Sequence, residues 1–317
     1  MKAVDSVLDL IGNTPLVKLR KVSDEGAADV FVKCEYFNPS GSLKDRIALE
    51  MIRGAEREGK LRPGYTIIEA STGNTGTSLS FVGTLLGYRV VIYMPEGMTP
   101  ERIRLIESYG AEVHELKREE TEGSGVAGAE VEIGTRMACY EIERSQPKTW
   151  WARQFSNPAN TRAHLTTGKE ILEQMDGKVD AFVASIGTGG TLYGIAKVLR
   201  EELPEVRIVG AEPAGGRFPL SEGHHRVPGF GDEVTGGIIK EMMESGLIDE
   251  VVAVENDDAA AMHERLVREE GIFCGVSSGA NVHLALKVAG ELGTGKRVAT
   301  ILHDSGDRYF TVKKYTT

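Results

Sequence analysis

Cysteine is scarce. The chain has three in 317 residues, Cys34, Cys139 and Cys274, and no Cys-x-x-Cys pair. So sparse and odd a set argues against a disulfide framework and reads as reduced thiols in a reducing compartment. The seven histidines have no ligand-like spacing to those cysteines, and the adjacent His224–His225 read as loop residues. No metal site is therefore expected. Long apolar runs are also missing: no uncharged stretch approaches the roughly 20 residues that a spanning helix needs. The opening MKAVDSVLDLIG, with its early Asp, does not read as a signal peptide. Basic charge is in deficit, 37 Lys and Arg against 47 Asp and Glu, a net charge of −10. An acidic surface argues against nucleic acid or an anionic membrane as partner, while local backbone geometry can still hold an anionic ligand. Repeats and low-complexity tracts are lacking too. A cytoplasmic location is the expectation.

What is present is enough for a sizeable core: 41% of residues are hydrophobic and 26% charged. The length suggests about two domains. Short β-branched runs (Val30–Lys33, Thr66–Ala70, Arg89–Met94, Ala111–Leu116, Ala181–Ile186, Arg207–Ala211, Glu250–Val254, Arg297–Leu302) alternate with helix-like stretches. The latter include Leu43–Glu58, Thr75–Leu86, Pro100–Tyr109, Gly190–Glu202 and Asp257–Glu270. Such alternation predicts an α/β fold with mostly parallel sheets and two units meeting near residues 145–160. Glu119–Gly128 and Pro213–Gly237 read as irregular. Ligands of α/β sheets sit at the carboxyl ends of strands.

Four segments at strand ends or helix starts carry chemistry. Asn38-Pro39-Ser40-Gly41-Ser42-Leu43-Lys44 leads into a helix with Lys44 in its first turn. The positive end of the helix dipole disfavours an ammonium there, and a lysine kept partly neutral is a nucleophile. A surface lysine is the plainer alternative. Ser71-Thr72-Gly73-Asn74-Thr75-Gly76 follows a strand and opens a helix, whose free N–H groups can hold a carboxylate. Gly187-Thr188-Gly189-Gly190-Thr191 has the form of a phosphate loop. As a dinucleotide fingerprint it is incomplete, because Leu192 stands where a third Gly would be; Glu212 at the next strand end keeps a nicotinamide reading open. Gly275-Val276-Ser277-Ser278-Gly279 matches the letters of a hydrolase nucleophile elbow, with Glu291 and His303 following in triad order. Its preceding strand, residues 271–274, is weak for that role.

Together these segments resemble the cysteine synthase family of fold-type II pyridoxal-phosphate enzymes. The likeness runs from Ile11-Gly12-Asn13-Thr14-Pro15-Leu16, through the lysine and asparagine segments and Gln154-Phe155-Ser156-Asn157-Pro158-Ala159-Asn160, to Asp304-Ser305-Gly306-Asp307-Arg308-Tyr309. It implies two open, twisted, mostly parallel sheets with flanking helices, like the β subunit of tryptophan synthase. Residues 35–148 would form a smaller domain carrying Lys44 and the asparagine loop, and residues 13–34 with 149–310 a larger one carrying the phosphate loop. The cofactor would be pyridoxal 5'-phosphate. Lys44 would be its covalent anchor and the general base; Asn74 would bond its ring hydroxyl. Gly187, Thr188, Gly189, Gly190 and Thr191 would cradle its phosphate, and Ser277 would meet its pyridine nitrogen. Ser71, Thr72, Gly73, Asn74 and Thr75 with Gln154 would hold the substrate α-carboxylate.

The reaction implied is β-replacement on an O-activated L-serine by sulfide, through an α-aminoacrylate, to give L-cysteine; a homodimer is implied as well. The segment His225–Gly231 departs from the family's pattern near the leaving group. That leaves the leaving group open: O-acetyl-serine is the first expectation, O-phospho-serine (paired by Arg217 or Arg226) the second, and serine, as in cystathionine β-synthase relatives, the third. A serine dehydratase is a sister possibility. A nicotinamide dehydrogenase and a non-catalytic binder are alternatives of other classes.

Overall fold

The computed structural model describes residues 3–117, 130–215, 234 and 236–309. In chain order the strands are β1 (Leu16–Lys18), β2 (Asp29–Cys34), β3 (Thr66–Ala70), β4 (Arg89–Pro95) and β5 (Glu112–Leu116). They continue with β6 (Thr149–Trp151), β7 (Ala181–Ser185), β8 (Arg207–Pro213), β9 (Glu250–Val254) and β10 (Arg297–Leu302). The helices are α1 (Lys44–Arg57), α2 (Asn74–Leu85), α3 (Pro100–Ser108), α4 (Glu130–Ser145) and α5 (Pro158–Gln174). After them come α6 (Gly190–Glu202), α7 (Gly237–Glu244), α8 (Asn256–Arg265) and α9 (Val276–Leu292). The expected irregular segment Glu119–Gly128, and Arg217, His224, His225, Arg226 and the rest of His225–Gly231, lie outside the described residues.

Chain contacts divide the molecule into two units. One comprises Met1–Leu43, Thr161–Val227 and Ile238–Thr317; the other comprises Lys44–Asn160 and Pro228–Gly237. The larger has a six-stranded sheet in the order β1-β2-β10-β7-β8-β9. Among the described residues, only the β1–β2 pair of this sheet is antiparallel. Side chains alternate across a strand, and each face needs its own cover. Ala181 and Val183 on β7 pack with Val282, Ala285 and Val288 of α9 and Met262 of α8. Phe182 and Ala184, pointing the other way, pack with Ile171 of α5, Ile195 and Leu199 of α6 and Met242 of α7. A sheet covered on both faces explains why its strands read as unbroken apolar runs.

The smaller unit has a four-stranded, wholly parallel sheet in the order β5-β4-β3-β6. Helix α1 buries Ile47, Ala48, Met51, Ile52 and Ala55, the stripe that a 3.6-residue period produces.

Two expected boundaries differ from the observed ones for local reasons. The first expected unit ends at residue 148, yet Thr149 on β6 pairs with Thr66 on β3, which keeps the chain in the small sheet up to Trp151. Its expected start is 35, but the Leu43 N–H donates to the His303 carbonyl and Ser42 bridges Asp304, holding residues 35–43 to the larger unit. The weak strand at 271–274 reduces to a single bridge between Cys274 and Ser305. All three cysteines are free and buried.

Candidate active site

In the smaller unit, β3 delivers the chain to the asparagine loop. The Ser71 N–H still belongs to the sheet, donating to Tyr93 O at 3.0 Å. The Ser71 hydroxyl turns into its own loop and accepts from the N–H groups of Gly76 (2.9 Å) and Gly73 (3.3 Å). It shapes the turn, and its own O–H remains a donor. Arg102 from α3 donates to the Thr72 carbonyl at 3.2 Å and braces the loop from outside. Asn74 is the first residue of α2 and half-buried, where helix N–H groups lack intrahelical partners. Thr75, buried, donates to Gln154 Oε1 at 2.6 Å, and Gln154 Nε2 donates to Ala70 O at 3.1 Å. Thus Gln154 lies against the asparagine loop. Lys44 is the first residue of α1, half-buried, followed by the buried Asp45 and Arg46.

Beneath this loop lies Glu69, a residue that sequence reasoning passed over. It is fully buried at the end of β3. Its carboxylate accepts from Trp151 Nε1 (2.9 Å), Ala70 N (2.8 Å) and Gln154 N (3.0 Å). Burial pushes its pKa up to about 7, against the lowering effect of those donors and of Arg136. The overlooked signal was an acid inside the otherwise apolar run Thr66–Ala70, directly before the loop.

In the larger unit, β7 delivers the chain to Gly187–Thr191. Gly189 is the N-cap of α6 in the left-handed region, φ +85°, the conformation that glycine adopts without penalty. Gly187 is exposed, while Thr188, Gly189, Gly190 and Thr191 are buried. The Thr191 hydroxyl lies 3.1 Å from His164 Nε2, and His164 Nδ1 lies 3.2 Å from Thr167 Oγ1. Helix α5 therefore anchors the loop from below through a histidine not singled out in the sequence. A pocket of about 380 Å³ opens beside Gly187, at the carboxyl ends of β7 and β8; Ser185, Glu212, Asn256, Ser277 and Tyr309 also line it. The volume lies within the range of small-molecule sites.

Ser277 sits at the start of α9, exposed to this pocket, its Oγ 3.4 Å from His303 Nδ1. On the other side of the ring, His303 Nε2 lies 3.5 Å from Ser185 Oγ. A hydrolase triad is not formed. Glu291 is fourteen residues along the same helix, about 21 Å at 1.5 Å per residue, and is paired with Arg207 at 2.7 Å. Leu192, at the missing glycine of the dinucleotide fingerprint, is wholly buried in the core.

The model of the family described as "Pyridoxal-phosphate dependent enzyme" matches residues 7–304. A cysteine synthase of Staphylococcus aureus is 45% identical over 320 residues, 99% of this chain and 98% of that protein. Among solved structures, cysteine synthase from Entamoeba histolytica has a TM-score of 0.86 at 34% identity, covering 100% of this chain and 92% of that one. An O-ureido-L-serine synthase has a TM-score of 0.84 at 37% identity, covering 98% and 94%. The chain belongs to the pyridoxal-phosphate dependent enzymes, within the cysteine synthase family of fold-type II. The nicotinamide reading of Gly187–Gly190 and Glu212 gives way to this match. The residues present suit the cofactor: a glycine loop at a helix N-terminus for a phosphate, and beside it a pocket with a serine hydroxyl at its wall.

Proposed function

We propose that this enzyme replaces the β-substituent of an O-activated L-serine, O-acetyl-L-serine first, with sulfide to give L-cysteine. The observation that carries the reading is the 45% identity to the Staphylococcus aureus cysteine synthase along 99% of the chain. Pyridoxal phosphate, when bound, supplies the electron sink for the substrate's α-carbon. The chain's own residues hold and orient. Lys44 would hold the cofactor covalently, and its amine would serve as the base for the α-proton. Backbone N–H groups of Gly187–Thr191 receive the phosphate at the start of α6. Ser277 offers a hydroxyl to the pyridine nitrogen. A hydroxyl does not enforce protonation there as an aspartate would, which suits elimination and replacement at the β-carbon. Asn74 meets the ring hydroxyl, and Ser71, Thr72, Gly73, Asn74 and Thr75 with Gln154 bind the α-carboxylate. The direct Thr75–Gln154 bond supports that last assignment. A cytoplasmic homodimer belongs to the same reading. Among the described residues no helix is long and apolar enough to cross a membrane.

The test is direct. Purified protein reconstituted with pyridoxal phosphate is supplied in turn with O-acetyl-L-serine, O-phospho-L-serine and L-serine, each with sulfide, and cysteine release is measured. O-acetyl-L-serine should be the best substrate. Lys44→Ala should abolish turnover and leave the cofactor removable by dialysis. Cysteine from none of the three would reject the reading.

A further inference from the structure

Glu69 is kept at a cost. An apolar side chain in its place would complete the buried run of β3, whereas a carboxylate must be taken out of water. Its raised pKa, about 7, reflects that burial. What the carboxylate obtains in return is a fixed geometry. Oε1 collects the N–H of Ala70 and the indole N–H of Trp151 on β6; Oε2 faces the N–H of Gln154. Beyond Gln154 the connection continues outward. Gln154 Nε2 is held by Ala70 O, and Gln154 Oε1 receives the Thr75 hydroxyl. The Asn160 side-chain amide, in turn, donates to Gln154 O at 2.7 Å. Two stretches far apart in sequence thus meet at one glutamine: the turn after β6, which carries it, and the segment that runs from the end of β3 to the first turn of α2. Each of them is in the smaller unit.

Gln154 could be held there by packing alone, and a neutral side chain at 69 would then serve. The structure argues otherwise. The backbone N–H of Gln154 is buried and has Glu69 Oε2 as its acceptor, and an amide left without an acceptor in such a place is costly. Arg136, largely buried and stacked 3.4 Å over the Phe155 ring, donates to Val234 O. It supplies a positive charge near the acid without competing for the oxygens that hold Gln154.

We propose that Glu69 is a positioning residue for recognition of the substrate carboxylate: it fixes Gln154, and through Gln154 the Thr75 hydroxyl, in the orientation that receives the amino acid. This rests on the reading that the asparagine loop and Gln154 bind that carboxylate. Glu69 touches neither substrate nor cofactor, and its influence should appear in amino-acid binding and not in the handling of sulfide.

The decisive experiment is a double-mutant cycle in the cofactor-loaded enzyme. Glu69→Gln keeps the shape of the side chain but turns an N–H₂ group toward the Gln154 N–H, removing that bond. The KM for O-acetyl-L-serine should rise about tenfold, the loss of one buried hydrogen bond, with kcat within about twofold and the KM for sulfide unchanged. In a Gln154→Ala background the same change should add less than about twofold, because the side chain it positions is gone. Hydrogen exchange should quicken at the Gln154 amide and stay slow at Leu79 in the core. Should Glu69→Gln fail to fold, Glu69→Asp, which keeps the charge and withdraws it by one carbon, carries the same cycle. Full additivity with Gln154→Ala, or a fall in kcat with KM unchanged, overturns the proposal. Wild-type enzyme that turns over O-acetyl-L-serine while Glu69→Gln is indistinguishable from it defeats this proposal alone. Wild-type enzyme that does not turn it over defeats the functional reading beneath.

Discussion

Gly279 and Ala259 are in backbone contact: a Cβ added at Gly279 would stand 2.2 Å from the Ala259 carbonyl oxygen and 2.9 Å from the His263 nitrogen. This contact seats α9 against α8. It lies two residues beyond Ser277, so it sets where α9 presents that hydroxyl. No side chain larger than hydrogen fits without separating the two helices.

Gly279→Ala should therefore both destabilise the larger unit and displace Ser277. Overpacking of this kind costs about 1–3 kcal/mol. The expected result is a lower Tm for the cofactor-free protein and, with Ser277 in its proposed place at the ring, a larger deficit with pyridoxal phosphate present. Melting curves with and without cofactor measure it. An unchanged Tm in both would show that the helices can slide apart freely.

Gly189 presents a different constraint. Its φ of +85° is in the left-handed region, and a Cβ would also come 3.1 Å from Ile239 Cγ1 on α7. An L-residue there costs about 1–2 kcal/mol in backbone terms alone. Gly189→Ala should relieve the strain by shifting the loop, and the N–H groups proposed to receive the phosphate would shift with it. Affinity for pyridoxal phosphate, titrated by absorbance, should fall about tenfold or more. Gly290→Ala, near the far end of α9 with nothing within 4 Å of the added carbon, is the control for added bulk and should bind more tightly than Gly189→Ala.

Glu69 predicts a pH dependence of stability. Its folded pKa, about 7, is above its ordinary 4.5 because burial disfavours the charged form. The folded chain thus binds this proton more tightly than the unfolded chain does. Its contribution is fully present below about pH 4.5 and is lost as pH rises through 7. Of its titratable neighbours, Cys139 has its pKa raised well above the thiol range by burial and remains a thiol through this window. Arg136 stays charged, although burial lowers its pKa. Urea unfolding of the wild type and of Glu69→Gln at pH 5, 6 and 7 should give curves that diverge by up to about 1.4 kcal/mol per pH unit, one proton's worth. The wild type should lose ground as pH rises. Parallel curves would mean that Glu69 does not change its proton uptake on folding.

The elements that were legible in the sequence are those whose physics is local. Strands β3, β9 and β10 have the bounds their apolar runs suggest; for β3 and β10 the reason is that a parallel strand buried on both faces is written as a continuous run ended by turn residues. Strands β1 and β6, of three residues each, are too short for any period to register. The asparagine and glycine loops were visible because turn chemistry and helix starts demand small and hydroxylated residues at fixed offsets. Partnerships across the fold were not. Thr75 and Gln154 are 79 positions apart, and Thr191 and His164 are 27 apart. Ser277 and His303 could be written together only as two letters of a triad, whose third member the structure places elsewhere. Family likeness, not periodicity, led to Gln154.

A buried cation in the larger unit offers a test of how tightly the chain's charges are matched. Lys33 on β2 is wholly buried, with its ammonium 2.7 Å from Glu170 on α5. It also donates to Thr14 O at 2.6 Å and to Gln174 Oε1 at 2.8 Å. Glu170 additionally accepts from the Asn13 N–H at 3.0 Å, tying the amino-terminal segment to α5. Removing one partner strands the other charge away from water, which costs about 3–5 kcal/mol, whereas removing both leaves no charge to solvate. Glu170→Gln alone should thus lower stability by about that amount in urea unfolding. Adding Lys33→Met should restore much of it, even though the double variant has lost the ammonium's bonds to residue 170, Thr14 and Gln174. If the double variant is instead less stable than Glu170→Gln, the ammonium's bonds to Thr14 and Gln174 outweigh its burial, and the charge is sustained by hydrogen bonding without help from the carboxylate.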